Sequence, residues 1–417
     1  MNLGKHYAEV TACRFCNYDK LFPYLDLGNH PPSNSFISSE NLSTEVFYPL
    51  KVLLCENCSA SQLSCVVPPE DIFSEYDYLS STSKALQNHF QVLVDKIIQV
   101  GRFSGTVIAL DIGANDGIIL DRYPGNDSYK LIGVEPSTAG RIAQEKGYHI
   151  YPNFFDEQVV KRILKDFGKT DVITATNVFA HIHDVLSVVK NVSSLLSDEG
   201  LFVLEFPYTP TTFDSMYFDT IYHEHLSYLN LNCLNTLLEK TDLRIVDFSM
   251  VEVGASGPAI QVFIAKENGL YKVQPCVYEL LQYEKEWGVF KREKYLDFAN
   301  RVSEIKSQVL GLIDSILMSG EKIAAFSAPA KGNTLLNYLG LNCEKISCIA
   351  ETNIRKIGKL APGSHIPIVD EQDFLRRGFS YALLLSWNYL DFFLNNSDFI
   401  KQGGKFIVPL PKSKIFG

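Results

Sequence analysis

Val107-Ile108-Ala109-Leu110-Asp111-Ile112-Gly113-Ala114-Asn115-Asp116-Gly117 is the stretch that decides the fold. The apolar run Val107 to Leu110 reads as a buried strand, it ends in an acidic residue and a glycine-rich turn, and Ile118 to Arg122 reads as helix-like. Gly113 and Gly117 let the backbone approach a ligand where a Cβ would collide. A second strand, Leu131 to Val134, carries Glu135 at its carboxyl end, where a carboxylate can accept both hydroxyls of a ribose. Together these residues outline the edge of a nucleotide site.

The spacing Gly113-x-x-x-Gly117 differs from the G-x-G-x-x-G of dinucleotide folds, and the chain has no G-x-x-x-x-G-K-[ST] phosphate loop. A ligand without phosphates fits better. Asp-x-Gly-x-x-x-Gly followed by an acid at the end of the second strand resembles the S-adenosylmethionine site of Rossmann-like methyltransferases. That resemblance makes Asp111, Gly113, Asn115, Gly117, Glu135 and Pro136 candidate cofactor contacts, with Phe154, Asn177 and Tyr78 as further ones.

Working outward, strand and helix patterns alternate. Val107–Leu110, Leu131–Val134, His149–Tyr151, Asp171–Ala175 and Leu201–Glu205 read as strands, separated by helical stretches Thr138–Lys146, Glu157–Phe167 and Leu186–Leu196. Such alternation implies a mostly parallel sheet covered on both faces. Leu243–Val251 and Ala259–Ala265 follow without a helix between them and should pair antiparallel. A long amphipathic helical region is expected from Val277 to Met318. A second, smaller Rossmann-like pattern follows: strands Lys322–Phe326, Ile346–Ala350, Tyr381–Leu385 and Lys405–Val408, with a turn at 327–333 and a helix over Thr334–Leu339. Lys331 in that turn is a candidate phosphate ligand, because a cation and helix N–H groups converge there.

The chain has 417 residues, 46% hydrophobic and 21% charged, which suits a globular protein of two or three domains. A formal charge of −10 argues against a large nucleic-acid face. Met1 to Val10 lacks the pattern of a signal peptide, and Tyr381 to Leu394 is too short and too polar to cross a bilayer, so a cytoplasmic location is expected. Among nine cysteines, Cys13-Arg-Phe-Cys16 and Cys55-Glu-Asn-Cys58 form two C-x₂-C pairs able to hold one structural zinc. Cys65, Cys233, Cys276, Cys343 and Cys348 lack such spacing and are expected as buried thiols.

Tyr222-His223-Glu224-His225 departs from the zincin H-E-x-x-H, since its histidines are two apart. A His beside Tyr and Glu suits proton transfer instead. His181 and Asn177 fall just after the strand Asp171–Ala175, at the ligand edge of the sheet. Tyr76 and Tyr78, in an aromatic segment before the first strand, would form a lid over the cofactor or simply pack.

Taken together, the Cys pairs, the Asp111 turn, Asn177-Val178-Phe179-Ala180-His181, Tyr222-His223-Glu224-His225, Ala328-Pro329-Ala330-Lys331-Gly332-Asn333-Thr334 and Pro362-Gly363-Ser364-His365-Ile366-Pro367 resemble the nucleotide-sugar C-methyltransferases, over nearly the whole chain. The resemblance implies a zinc module (1–70), a methyltransferase domain (71–267) and a Rossmann-like sugar-nucleotide-binding domain (268–417). It implies an enzyme that takes a proton from C3 of a nucleoside-diphosphate 4-keto-deoxysugar and methylates the enolate, with S-adenosylmethionine and zinc as cofactors. His225 would be the base, supported by Tyr222, Glu224 and Tyr76, with His181 close to the sugar and Lys331, Asn333 and Trp387 binding substrate. No nucleic-acid or membrane partner is implied; a monomer is compatible with the reading. O- or N-methyl transfer, or a silent zinc-containing scaffold, are the rival readings. Three stretches depart from the family pattern: Gly254–Ala259 lacks a basic residue, Asp391 stands where Glu is usual, and Glu351 begins a stretch where Asp is usual.

Overall fold

The computed structural model describes residues 2–3, 7–68, 72, 79–254 and 257–417. Tyr76, Tyr78, Ala255 and Ser256 lie outside the described residues. A seven-stranded sheet occupies the middle of the chain, in the order Leu243–Gly254, Gly257–Lys266, Leu196–Pro207, Thr170–Thr176, Val107–Ile112, Tyr129–Val134, His149–Tyr151. Strands up to Pro207 run parallel, and the last two form an antiparallel hairpin against Leu196–Pro207. Period-two alternation builds its two cores. Leu110, Ile173, Phe202 and Leu204 face the helices Glu157–Asp166 and Val185–Leu195, while Ala109, Val172, Leu201 and Val203 face the helix Lys84–Val100. That last helix is capped by the Ser83 side chain and buries Leu86, Phe90, Leu93, Val94 and Ile97 at helical spacing.

The chain winds outward from Val107–Ile112 on one side and returns to Thr170–Thr176 on the other. The crevice outside the carboxyl ends of these two strands is where such sheets hold ligands. The expected helix at Ile118–Arg122 is only a single 3₁₀ turn, Leu120–Arg122.

A six-stranded sheet closes the chain, ordered Ile368–Asp370, Ile346–Glu351, Ile323–Phe326, Tyr381–Leu384, Lys405–Val408, Lys414–Phe416, the last pair antiparallel. Its switch point lies between Ile323–Phe326 and Tyr381–Leu384. The helical region before it is two helices, Pro275–Trp287 and Arg292–Met318, because Gly288 takes a left-handed φ of 104° and ends the first. The helix after Ile323–Phe326 starts at Ala330, earlier than expected, so Lys331 and Asn333 sit in its first turn.

The N-terminal region forms a five-stranded sheet from Leu21–His30, Val46–Cys55, Ser61–Leu63, Asn2–Leu3 and, from the middle of the chain, Ser227–Tyr228. Its apolar side shares one core with the helix Arg292–Met318 and the last sheet: Tyr24, Leu50 and Val52 join Tyr295, Phe298 and Phe326. Among the unassigned cysteines Cys65, Cys233 and Cys348 are buried as expected. Cys276 is half-buried and Cys343 exposed, the latter in a polar turn.

Candidate active site

The turn after Val107–Ile112 is shaped by three left-handed residues, Gly113 (φ 75°), Asn115 (49°) and Gly117 (84°). A Cβ on Gly113 would sit 2.9 Å from Val178 Cγ2, so the cradle accepts only glycine there. Asp111 is buried beneath the turn, accepting the Thr174 hydroxyl at 2.6 Å. Burial pushes its carboxyl up to about 7, the Thr174 hydrogen bond partly relieving this and the nearby Glu135 charge adding to it. Glu135 accepts Asn115 N–H on Oε2 (2.9 Å) and Ser137 N–H on Oε1 (2.8 Å), leaving two of its roughly four lone-pair positions open, the number a ribose diol needs. Pro136 is exposed beside it, and Phe154 is exposed past the end of His149–Tyr151.

Asn177, also left-handed (φ 54°), donates through its backbone to Glu205 O (2.8 Å) and through Nδ2 to Glu205 Oε1 (3.1 Å). Its Oδ1 is buried with no hydrogen-bond partner, an acceptor of the kind a cofactor's ammonium group needs. The cradle and this acceptor fit S-adenosylmethionine. Glu205, His89 and Gln261 were not singled out from sequence. Glu205 is fully buried at the end of its strand and receives His89 Nε2 at 2.7 Å and Gln261 Nε2 at 2.8 Å. Burial pulls the His89 imidazole down, but the hydrogen bond to Glu205 and its charge outweigh that and leave it raised. An acid ending a strand at the ligand edge was the available signal.

The 222–225 segment is an irregular loop packed under the crevice. His225 Nδ1 lies 2.8 Å from the Thr220 carbonyl, which can only accept, so Nδ1 carries the proton and Nε2 keeps a lone pair. The Tyr222 hydroxyl reaches Nε2 at 3.0 Å. His181 stacks on His225 with ring centroids 5.1 Å apart. Burial holds the His225 pKa down at about 4, the Thr220 carbonyl opposing it, and holds His181 down at about 3 with His225 adding a smaller push. Both rings are neutral at neutral pH. A small enclosed pocket touches His225, Tyr217, Thr220, Ala180 and Tyr228. Glu224 is turned the other way, its carboxylate taken by Asn34 Nδ2 at 2.8 and 3.1 Å; burial raises it to about 7, and Asn34 partly offsets this.

The loop's far side is built by the N-terminal module. His223 Nε2 donates to Pro49 O (3.2 Å), Arg14 Nη1 donates to Leu226 O (2.9 Å), and Ser227–Tyr228 pair with Gln62 and Ser61. Arg14 belongs to the first of two matching knuckles. In each, a left-handed residue follows the second Cys and donates back to the first: Asn17 N–H to Cys13 O at 2.9 Å, Ser59 N–H to Cys55 O at 2.8 Å. The sulfurs of Cys13, Cys16, Cys55 and Cys58 lie within 4.8 Å of one another, with Cys13–Cys58 and Cys16–Cys55 at 3.5 Å. That is far beyond a disulfide and close to the ~3.8 Å edge of a tetrahedral Zn–S₄ site with bonds of about 2.3 Å. The four thiolates fit zinc.

On the other side, Lys331 is half-buried rather than fully at the surface. Its ammonium donates to Asn388 Oδ1 and lies 4.8 Å over the Trp387 ring. Burial lowers its pKa while Asp219 raises it; Asp219, raised by its own burial, accepts Trp387 Nε1 at 2.6 Å. Asn333 is buried and donates to Ser33 O at 2.7 Å, tying the helix to the N-terminal module. Asp219 and Tyr217 belong to the segment leading into Tyr222, so the Lys331 cluster and the His225 loop are adjacent in chain and in space.

Residues 85–247 match the family described as a methyltransferase domain, residues 13–73 a zinc binding domain, and residues 255–411 a C-methyltransferase C-terminal domain. With the sheet order and the Asp111 turn, these define an S-adenosylmethionine-dependent methyltransferase with a zinc-binding module. The C-methyltransferase NovU of Streptomyces niveus is 32% identical over 410 residues, 97% of each chain. The protein belongs to the same C-methyltransferase family. Solved structures give more distant likenesses: magnesium protoporphyrin IX methyltransferase of Synechocystis PCC 6803 (13% identity, 43% of this chain and 79% of that one, TM-score 0.32) and the N-methyltransferase NodS of Bradyrhizobium japonicum (13%, 43% and 95%, 0.32). Among the described residues, no helix is long and apolar enough to cross a membrane.

Proposed function

We propose that the enzyme methylates C3 of a nucleoside-diphosphate-linked 4-keto-deoxysugar, with His225 as the base. The observation that carries this reading is the His225 ring itself, enclosed, neutral and fixed with Nε2 unprotonated beside Tyr222 and His181. O- or N-methylation starts from a lone pair already present and breaks no C–H bond; a carbon nucleophile forms only once a base has taken the proton beside the ketone.

Bound S-adenosylmethionine supplies an electrophilic methyl group on a sulfonium. Everything before that transfer falls to the protein. Nε2 takes the proton from the carbon beside the ketone. A base with so low a pKa is weak at rest, but the enolate forming beside it stabilises the imidazolium as charge develops. Turning the Tyr222 hydroxyl away from Nε2 would bare the lone pair for that proton, and the phenol and His181 would be the donors to the enolate oxygen. Lys331 and the N-terminal turn of Ala330–Leu339 would hold the diphosphate, orienting the sugar toward His225. A cytoplasmic location is part of this reading.

The test is exchange of the sugar's C3 proton for deuterium in D₂O, without methyl donor. Wild type should exchange it and His225→Ala should not, while both bind S-adenosylmethionine. Exchange at the wild-type rate in His225→Ala would overturn the assignment.

A further inference from the structure

Glu205 is a fully buried carboxylate on a sheet face that is otherwise apolar. Val203 and Leu201, two and four positions before it, pack with the helix Lys84–Val100, and on the neighbouring strand Phe263 and Ala265 do the same. At the carboxyl end of its strand the pattern turns polar: Glu205 stands opposite Gln261 in one register and beside Thr176 in the other. A buried charge is costly unless it is well hydrogen-bonded. Glu205 Oε2 takes His89 Nε2 at 2.7 Å and Gln261 Nε2 at 2.8 Å, and its Oε1 takes Asn177 Nδ2 at 3.1 Å.

A carboxylate can only accept, so the Asn177 amide turns its nitrogen to Glu205 and its oxygen away from it. The backbone holds Asn177 in the same place. Its N–H donates to Glu205 O at 2.8 Å, and its φ of 54° is a left-handed value that Asn adopts more readily than most residues. The Asn177 oxygen is buried and has no hydrogen-bond partner among the described residues. In the sheet Tyr129–Val134 lies beside Val107–Ile112, and Val107–Ile112 beside Thr170–Thr176. Glu135, the Gly113 turn and Asn177 therefore follow one another at successive strand ends, over about 10 Å. A cofactor with its ribose on Glu135 and its sulfonium over the turn carries its amino-acid end toward Asn177.

We infer that Glu205 is a positioning residue for S-adenosylmethionine: without touching the cofactor, it locks the Asn177 amide in the orientation that offers an acceptor, and so selects the ammonium of the cofactor's amino-acid end. His89, from the helix Lys84–Val100, and Gln261, from the strand Gly257–Lys266, hold Glu205 in turn. The inference concerns the cofactor alone and holds whatever group accepts the methyl.

Calorimetry with S-adenosylhomocysteine and its deamino analogue, in which hydrogen replaces the ammonium, tests this on wild type, Asn177→Gly, Glu205→Gln and Gln261→Leu, with melting temperature as the control of folding. Asn177→Gly removes the acceptor and tolerates the left-handed backbone. In Glu205→Gln the new amide nitrogen faces Asn177, where it opposes one N–H instead of the two at Oε2, so the Asn177 amide turns over and shows its own nitrogen to the ammonium. Wild type should bind the deamino analogue about 10- to 100-fold more weakly, as loss of a charged hydrogen bond costs. In Asn177→Gly and Glu205→Gln that ratio should drop below about 3-fold through weaker S-adenosylhomocysteine binding alone, and the double variant should be no worse than either single one. Glu205→Asp, a methylene too short to reach Asn177, serves as a second variant with the same expectation. Gln261→Leu takes a donor from Glu205 without touching Asn177 and should keep the wild-type ratio even where its melting temperature falls. No ammonium preference in wild type, or a full one in Asn177→Gly, would overturn Asn177 as the acceptor and the role of Glu205 with it. A wild-type ratio in the Glu205 variants, equal loss of both ligands in them, or the same loss of ratio in Gln261→Leu would leave Glu205 a structural group and overturn the inference.

Discussion

His225 is fixed by what each ring nitrogen can touch: a carbonyl at Nδ1, a phenol at Nε2. Removing the ring should lower C3 proton exchange by about 100- to 10,000-fold, the usual range for a positioned base; removing only the phenol, in Tyr222→Phe, should cost less and leave exchange measurable by mass spectrometry. The pH behaviour follows from the direction of the shifts. A base whose pKa is held at about 4 is neutral above that value, so activity is lost only as the pH falls through about 4, not through the ordinary imidazole value of about 6.5. Glu224, held up at about 7 by burial, titrates inside the working range and is separated from His225 by substitution. In Glu224→Gln, kcat/KM should stay flat from pH 8 to about 5 and fall below that; a limb near 6.5 would mean that His225 is not desolvated as the structure has it.

At the scale of elements, the strands were legible because each one alternates between two cores, and the mostly parallel sheet with its antiparallel last pair followed from strand–helix alternation. What misled was the local signal without its neighbours. Val277 to Met318 has a continuous helical pattern, yet Gly288 stops it, because one left-handed residue matters more to a helix end than the apolar period around it. Ile118 to Arg122 is apolar enough for a helix, but its residues are consumed packing the turn against the sheet, and one 3₁₀ turn is all that forms. The shape of the turn was legible, since glycine spacing and a strand-end acid are both backbone requirements. Glu135→Gln should test that element: losing charge at the proposed diol acceptor, which is also held by two amides, should weaken S-adenosylmethionine about 10- to 100-fold by calorimetry, with melting temperature little changed. His89, Gln261 and Asn34 were illegible for the opposite reason, as partners brought together only by the tertiary fold.

Over the whole molecule, the zinc module is a wall of the site and not an appendage. Its sheet takes Ser227–Tyr228 as an edge strand, Arg14 between the first Cys pair holds Leu226 O, and Asn34 and Pro49 hold the side chains of Glu224 and His223. Two short C-x₂-C knuckles with little core of their own depend on the metal. Structural zinc contributes about 10–16 kcal/mol to such folding, comparable to the whole net stability of about 5–15 kcal/mol of an ordinary domain, so metal loss should unfold the module outright. The cofactor turn, by contrast, is built on the middle sheet, and among the described residues no hydrogen bond joins it to the four sulfur ligands. Cys58→Ala should therefore bind well under one zinc per chain and lose proton exchange to the level of His225→Ala. Its S-adenosylmethionine affinity should fall by less than about 3-fold. Metal analysis paired with exchange and calorimetry separates these effects: exchange at the wild-type rate in zinc-free protein would show that the base loop keeps its position without the module, and loss of cofactor binding as well would show that the middle sheet does not hold without it.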